Sequence, residues 1–295
     1  MKRPKVVCIG VATHDFIALA EGWAGPDQRV VAEDVMQAGG GPAATAAVAL
    51  ARLGVPVSFI GRVGDDESGA RIVADLEREG VEASRVRCVG GARSAASVIV
   101  ADRGSGGRAI AAYPGSVGPI ALTVAEIDFC GGAEWIHVDQ FGYGVVAALR
   151  EAGVKTPVSL DGGNPIPDLD LEPVTLYSPT EARLRAVFGV DDAFTAARMA
   201  LDAGPSMVVW TRGPAGSMAV TRHKTFEEPA YVGGAVVSTL GAGDVFHGAM
   251  LAALVKGLGV GEMLRYANAA AALSCRALDG RSAIPGAMEL EEALR

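Results

Sequence analysis

No run of apolar residues in this 295-residue chain approaches the ~18 needed to cross a bilayer, although half of its residues are hydrophobic, alanine prominent among them. A membrane-spanning helix is thereby excluded, no membrane partner is expected, and a soluble chain is. The opening, Met1-Lys-Arg-Pro-Lys-Val-Val-Cys8, turns into a short apolar strand with neither a long apolar region nor a small-residue cleavage site, so a cytoplasmic location is expected. Cys8, Cys88, Cys130 and Cys275 lie far apart, without a Cys-x-x-Cys pair and without histidine at ligand spacing. That argues against both a zinc site and a disulfide framework, and for buried reduced thiols. Blocks of like charge are missing as well: the net charge of -8 and pI near 5.1 come from interspersed acids and bases, so nucleic acid is not an expected partner. Such a charge opposes any anionic substrate, and a phosphate must be held by local backbone donors and a few cations.

What the sequence does contain is alternation. Val6-Val-Cys-Ile-Gly10 reads as a buried parallel strand ending in a loop. The alanine-rich stretch Pro42–Leu53 reads as a helix ended by Gly54, and Val55–Ile60 as the next strand. Asp66–Glu79 is again helical, with Ile72, Val73 and Leu76 on one face. Trp135–Val138, Pro157–Leu160, Val174–Tyr177 and Met207–Trp210 are strand-like, most of them followed by a helical stretch, and Gly241–Leu278 reads as two helices broken near Gly257–Gly261. The expected fold class is therefore α/β: one domain over residues 1–295, a doubly wound, mainly parallel sheet flanked by helices. Residues 15–38 and 94–113 break the pattern. Ser97–Ala101 and Arg108–Tyr113 flank a glycine-rich turn as a β-hairpin, and the earlier stretch could pair with it into a small sheet covering the strand ends.

Three glycine-rich segments could carry chemistry. In Ser238-Thr-Leu-Gly-Ala-Gly-Asp-Val-Phe-His-Gly248 a Gly-x-Gly turn opens a helix, so that backbone N–H groups converge on one spot favoured for negative charge. Asp244, directly after the turn, could take a proton from a hydroxyl attacking a phosphoryl group. Taken alone, the segment is equally a helix start whose aspartate favours the dipole. It is neither a Walker A motif, lacking Gly-Lys-Ser/Thr, nor a Rossmann fingerprint, since Phe246 stands in place of the third glycine. The second segment, Gly39-Gly-Gly-Pro42, would let backbone approach a ligand closely ahead of a helix. In the third, Gly61-Arg-Val-Gly-Asp-Asp-Glu-Ser-Gly69, helix capping alone accounts for Asp65 and Asp66.

With these segments in this order, the chain resembles the ribokinase-like (PfkB) carbohydrate kinases over nearly its whole length. Gly39-Gly-Gly-Pro-Ala-Ala-Thr-Ala-Ala47, Asp244-Val-Phe-His-Gly248 and Gly280-Arg-Ser-Ala-Ile-Pro285 are most similar to the sulfofructose kinase branch. The resemblance implies an ATP-dependent kinase using magnesium, with a small-molecule sugar as acceptor and a homodimer paired through the small sheet as a lid. It makes Asp244 the catalytic base and the N–H groups of Gly241, Ala242 and Gly243 the anion hole. Asp15, Gly39, Gly40 and Gly41 would then bind the sugar. Ser178 and Glu181 match the family's Asn-x-x-Glu, whose glutamate organises magnesium through water. Thr211, Gly213 and Gly216 match a loop that contacts nucleotide phosphates and ribose, and Asn268, Gly280 and Ser282 match the adenine side. Taken on its own, Asp15 also suits a turn and Glu181 the first turn of a helix.

Departures from the family pattern qualify these assignments. Ala44 replaces the asparagine that usually ends the early glycine motif, and Ser178 the asparagine of Asn-x-x-Glu. Ser238-Thr-Leu240 replaces Asp-Thr-Thr, removing the carboxylate expected of a monovalent-cation site, so potassium activation is not expected. Arg29 could bind an anionic tail of the acceptor by a bidentate contact, although an exposed arginine is also simply solvated. Gln140 and Ala112 stand where a sulfofructose kinase would offer further polar or basic groups. His14, His137 and His247 read as structural or substrate-contacting rather than metal-binding, and Trp23, Phe141 and Tyr143 as packing or the sugar face. A nucleoside kinase of the adenosine type, or a sugar- or nucleotide-binding homologue without catalysis, are the alternatives.

Overall fold

The structure is a computed structural model that describes residues 4–23, 25 and 27–295. Its first strand, β1 (Val6–Ile9), is apolar and buried at every position because it lies mid-sheet with layers on both faces. The chain then runs through β2 (Thr13–Ala20), β3 (Ala32–Gly40), α1 (Pro42–Arg52), β4 (Val57–Gly64), α2 (Glu67–Arg78), β5 (Glu82–Val89), β6 (Ala96–Asp102) and β7 (Arg108–Tyr113). It continues through α3 (Val124–Gly131), β8 (Trp135–Val138), α4 (Val146–Glu151), β9 (Val158–Asp161), β10 (Leu176–Ser178), α5 (Glu181–Phe188), α6 (Ala193–Asp202) and β11 (Met207–Thr211). Two strands, β12 (Ser217–Thr221) and β13 (Thr225–Glu228), precede the closing helices α7 (Ala242–Val255), α8 (Val260–Ser274) and α9 (Ala287–Ala293).

Nine strands form the main sheet in the order β13-β12-β11-β10-β9-β8-β1-β4-β5, parallel from β11 to β5 and antiparallel only at the β12–β13 edge. From β1 the chain winds one way to β4 and β5, then returns to β8 on the other side of β1 and winds outward. The carboxyl ends of β1 and β8 therefore flank a topological switch point, where open α/β sheets leave a crevice. The expected doubly wound sheet is present. The β12–β13 edge was not anticipated, because Ser217–Thr221 is short, carries no alternation, and nothing local fixes its direction.

A second sheet, ordered β3-β2-β6-β7, stands apart from the first. The expected hairpin is β6–β7, and residues 15–38 do pair with it: β2 runs parallel to β6 and antiparallel to β3. Its register puts Asp15, Ala38, Ser97 and Ala112 in one row. Ile17 and Ile99 point to the same face and are buried with Leu278 and Leu240. Phe16, Val35 and Val98, on the opposite face, are exposed.

The abundance of alanine has a structural reason. Ala43, Ala46, Ala47 and Ala49 of α1 meet Ala249, Ala252 and Ala253 of α7 in one core, all fully buried. At Gly248 a methyl group would strike the Ala46 carbonyl, so the two helices approach almost backbone to backbone. Asp66 caps α2 by accepting from the Gly69 N–H at 2.9 Å and also accepts from the Ser94 N–H, so capping and loop-tying account for it. Among the described residues, no helix is long and apolar enough to cross a membrane.

Candidate active site

The Gly241-Ala-Gly-Asp turn closes onto α7 as an N-terminal anion site. Gly241 caps the helix in the left-handed region (φ 72°), which admits glycine at little cost. The Val245 N–H donates to the Gly241 carbonyl at 2.9 Å, which leaves the preceding N–H groups without intrahelical partners. That of Ala242 donates to the Thr239 carbonyl at 3.3 Å, so the N–H groups best placed for an anion are those of Gly243 and Asp244 rather than all three of the Gly241–Gly243 stretch. Asp244 itself is partly buried. Burial, reinforced by the charges of Asp161 and Asp139 and opposed by His247 and Arg108, pushes its carboxyl up to about 7. A carboxylate near neutrality beside converging N–H donors suits proton removal with stabilisation of developing negative charge.

Arg108 was not singled out by sequence. It projects from β7, donates from Nη1 to Thr239 Oγ1 at 2.9 Å, and Thr239 Oγ1 in turn donates to the Gly106 carbonyl at 3.3 Å. The hairpin turn of the small sheet is thus fastened to the segment leading into the anion turn, and a guanidinium is brought beside Asp244. The signal was present as a basic residue directly after a glycine-rich turn, but its partner lies 131 residues away.

Asp15, expected to bind the acceptor, is buried, and its Oδ1 and the nearby Thr13 Oγ1 have no hydrogen-bond partner. Burial raises the Asp15 carboxyl, opposed by the hydroxyls of Thr13 and Ser97 and the charge of Arg281. A methyl group at Gly40 would collide with the Asp15 carboxylate, and Gly41 sits at φ 91° with the Val11 carbonyl against it, so close approach dictates these glycines. Gly39 lies against Arg281, whose buried guanidinium donates to the Gly40 carbonyl at 2.6 Å and to Thr45 Oγ1 at 3.2 Å.

A second residue missed by sequence, Asp139, ends β8 at the switch point and is fully buried. It accepts from the N–H groups of Val11 (2.9 Å), Ala43 (3.2 Å), Phe141 (2.9 Å) and Gly142 (2.9 Å), lashing β1, α1 and the β8 loop together. Burial holds its carboxyl up at about 6 despite these donors. Gln140 follows it, accepting from Asn164 at 3.4 Å. Arg29 is exposed in the β2–β3 connection. His14 is tied to Ser68 and Gln37, and the Tyr143 hydroxyl donates to the Asp170 carbonyl, which leaves both in structural roles.

The residues matched to the nucleotide fall into two groups. Ser178 ends β10, Glu181 begins α5 and Thr211 ends β11, drawn together by the Thr180–Thr211 bridge. The Ser178 hydroxyl is buried with no partner. The loop containing Gly213 and Gly216 is held by Arg212, which donates to Glu227 at 2.8 Å and to the Ala215 carbonyl at 3.0 Å. Asn268 spends its amide donors on the Glu228 and Pro229 carbonyls, supporting the strand end rather than reaching outward. Gly280 packs against Gly241. The Ser282 N–H donates to Asp279 and its carbonyl accepts from Arg52 of α1.

An open α/β sheet with a switch-point crevice, a helix-capping anion turn carrying an aspartate, and a second sheet pinned to that turn define the class of a phosphoryl-transferring carbohydrate kinase. The chain belongs to the pfkB family carbohydrate kinases, whose family model matches residues 3–286. It is similar to an uncharacterized sugar kinase of Archaeoglobus fulgidus (29% identity, 81% of this chain and 99% of the relative). It is also similar to an ATP-dependent ribose-1-phosphate kinase of Halopiger xanaduensis (31% identity, 84% and 83%). The solved structure of Arabidopsis thaliana ribokinase with ribose and ATP superposes with a TM-score of 0.86 at 25% identity, covering 100% of this chain and 99% of that one. The protein is accordingly an ATP-dependent carbohydrate kinase.

Proposed function

We propose that the chain transfers the γ-phosphoryl group of ATP to a hydroxyl of a small sugar, sugar acid, or phospho- or sulfo-sugar, with Asp244 as general base. The observation that carries this reading is the partly buried Asp244 carboxyl, held near neutrality in the first turn of α7 beside the N–H groups of Gly243 and Asp244. Asp15 and the Gly40–Gly41 backbone orient the acceptor, the unpartnered Asp15 Oδ1 and Thr13 Oγ1 taking its hydroxyls. Asp244 accepts the proton of the attacking hydroxyl, while the helix N-terminus and Arg108 stabilise the transferred oxygens. The small sheet, acting as a lid, excludes water from the reacting groups.

Magnesium would neutralise charge on the nucleotide phosphates. Among the described residues no group of three or more His, Cys, Asp or Glu could hold a metal, which fits an ion carried mainly by phosphates. Glu181 would hold it through water, beside the unpartnered hydroxyl of Ser178.

A nucleoside acceptor is the second reading. It is favoured by a mostly apolar cavity of about 260 Å³ lined by Val11, Pro114, Ile120 and Phe141, with Arg62 as its one charged residue. ADP release measured against a panel of sugars, phosphosugars, sulfosugars, sugar acids and nucleosides separates the two. Asp244→Asn should abolish most of kcat for the accepted substrate while ATP still binds. Turnover near that of the unmodified protein would refute the base assignment, and binding without turnover by the unmodified protein would point to a homologue without catalysis.

A further inference from the structure

Below Asp244 lies a buried polar cluster that the proposed mechanism does not use. His247 is three residues along α7 from Asp244 and so shares its helix face. Its Nδ1 lies 3.2 Å from Asp161 Oδ2, at the end of β9, with the two side chains only 6% and 5% exposed; the approach is a charge contact whose angle falls short of a hydrogen bond. Asp161 also accepts from the Gly163 N–H at 2.8 Å. His137, on β8, stacks beside His247 with ring centroids 5.8 Å apart, and its Nδ1 is 3.3 Å from Ser159 Oγ.

A buried ion pair costs desolvation at both ends, so its presence in an enzyme floor calls for a reason. Burial opposes both charges here and is outweighed. The imidazolium and the Gly163 N–H hold Asp161 below the usual carboxylate range. Asp161, Asp244 and the Ser178 backbone hold His247 above the usual histidine range. His137 is the contrasting case, driven down to about 3 by burial and by the neighbouring His247 charge. The two neighbouring histidines are thus shifted in opposite directions, His247 up and His137 down.

The charged groups facing Asp244 are Asp161 from β9, Asp139 from the end of β8, His247 from α7 and Arg108 from β7, with Arg281 of the 279–282 loop also sensing its charge. Two carboxylates therefore oppose ionisation of the base from within the sheet. His247 is the basic group on the same helix, sealed from solvent, whereas Arg108 is exposed and screened. We propose that His247 is a positioning residue acting through Asp244: held as an imidazolium by Asp161, it is the buried positive charge that lets a carboxylate rather than a carboxylic acid stand at the anion turn. Asp161 alone would work against the base, and the pair converts that liability into a dipole with its positive end on the Asp244 helix. The inference rests on Asp244 being the base.

The test is carboxyl and imidazole NMR titration of the full chain. In the unmodified protein the His247 ring, assigned among four histidines by its loss in His247→Gln, should titrate above the ordinary histidine range. His247→Gln should move the Asp244 carboxyl midpoint up by about one pH unit. Adding Asp161→Asn to that variant should cancel the rise, because the repelling charge is then gone as well; a residue of purely structural importance gives no such rescue. The inference is overturned if His247 titrates at or below its ordinary value, if His247→Gln leaves the Asp244 midpoint in place, or if the rise persists in the double variant. Should the Gln variant fail to fold, the His247 titration in the unmodified protein, assigned through its nuclear Overhauser contacts to Phe246 and His137, still decides. None of these readings depends on turnover, so a failure of the base assignment itself, seen as an active Asp244→Asn enzyme, remains separately visible.

Discussion

At the scale of single residues, the chemistry of this kinase is paid for in stability at Asp244. A carboxyl whose ordinary value is 3.8 and whose folded value is about 7 is protonated in the folded chain but ionised in the unfolded one between those limits. The folded state then binds more protons, so this group's contribution to stability improves as pH falls from 7 towards 4 and is least favourable above 7. Two outcomes are expected. First, if Asp244 is the base proposed above, kcat/KM should fall as pH drops through about 7, because its carboxylate is then lost to protonation. Second, Asp244→Asn should be more stable than the unmodified protein at pH 8 by roughly 1 to 2 kcal/mol, allowing for the side chain's partial exposure, with the gain fading towards pH 4. Urea denaturation at the two pH values measures it, and an Asn variant less stable at pH 8 would contradict the electrostatic account. The residue scale is also where the sequence was least complete. Asp244, Asp15 and the glycines were legible because each sits inside a contiguous motif. Asp139, Asp161 and Arg108 were not, because each stands at a strand end or turn beside unremarkable neighbours, and its partners come from elements that only the sheet order brings together.

At the scale of elements, α7 is both the core of the molecule and the carrier of Asp244, the base proposed above. Its alanine face lies on α1 with no room for side chains, and Gly248, one turn beyond Asp244, is the point of closest approach. Gly248→Ala adds a methyl group against the Ala46 carbonyl and Ala49 Cβ. It should destabilise the fold by about 1–3 kcal/mol, despite the higher helix propensity of alanine, because the backbone cannot yield locally. The displacement of α7 should also lower kcat more than it weakens ATP binding. A variant of unchanged denaturation midpoint would show that the helices can separate freely. The segment before α7 supports a further expectation. With Ser238 and Leu240 in place of a carboxylate-bearing sequence, potassium should activate phosphoryl transfer little more than an inert monovalent salt does, and a large activation would refute this. Periodicity and glycine punctuation made the βα units readable, since short apolar runs and helix-ending glycines are local signals. The antiparallel β12–β13 edge and the strand β3 were harder, because strand direction and pairing are settled by partners far away in sequence.

At the scale of the whole molecule, the small sheet presents an exposed apolar face. Its inner face is occupied by Asp15, Ile17, Ser97 and Ile99 above the crevice, so the pleat forces Phe16, Val35 and Val98 outward, where they are 41%, 71% and 60% exposed. Flanked by Ala18 and Val100, they line a groove of about 570 Å³ with scarcely a polar group in it. A chain with a net charge of -8 gains solubility from repulsion, and an apolar stripe of this kind on an otherwise charged surface marks an interaction site. We propose a second copy as the occupant, since a two-fold axis would set the same stripe against itself and seal both at once. Light scattering should therefore give twice the 30.1 kDa chain mass. Val98→Asp, which places like charges across that axis, should return a monomer without touching the inner face. If closure of the sheet over the acceptor depends on this support, the monomer should bind acceptor more weakly while its affinity for ATP is unchanged, because the residues proposed for the nucleotide lie on β10, β11 and α5. An unmodified protein that scatters as a monomer would leave the stripe without the partner argued for it.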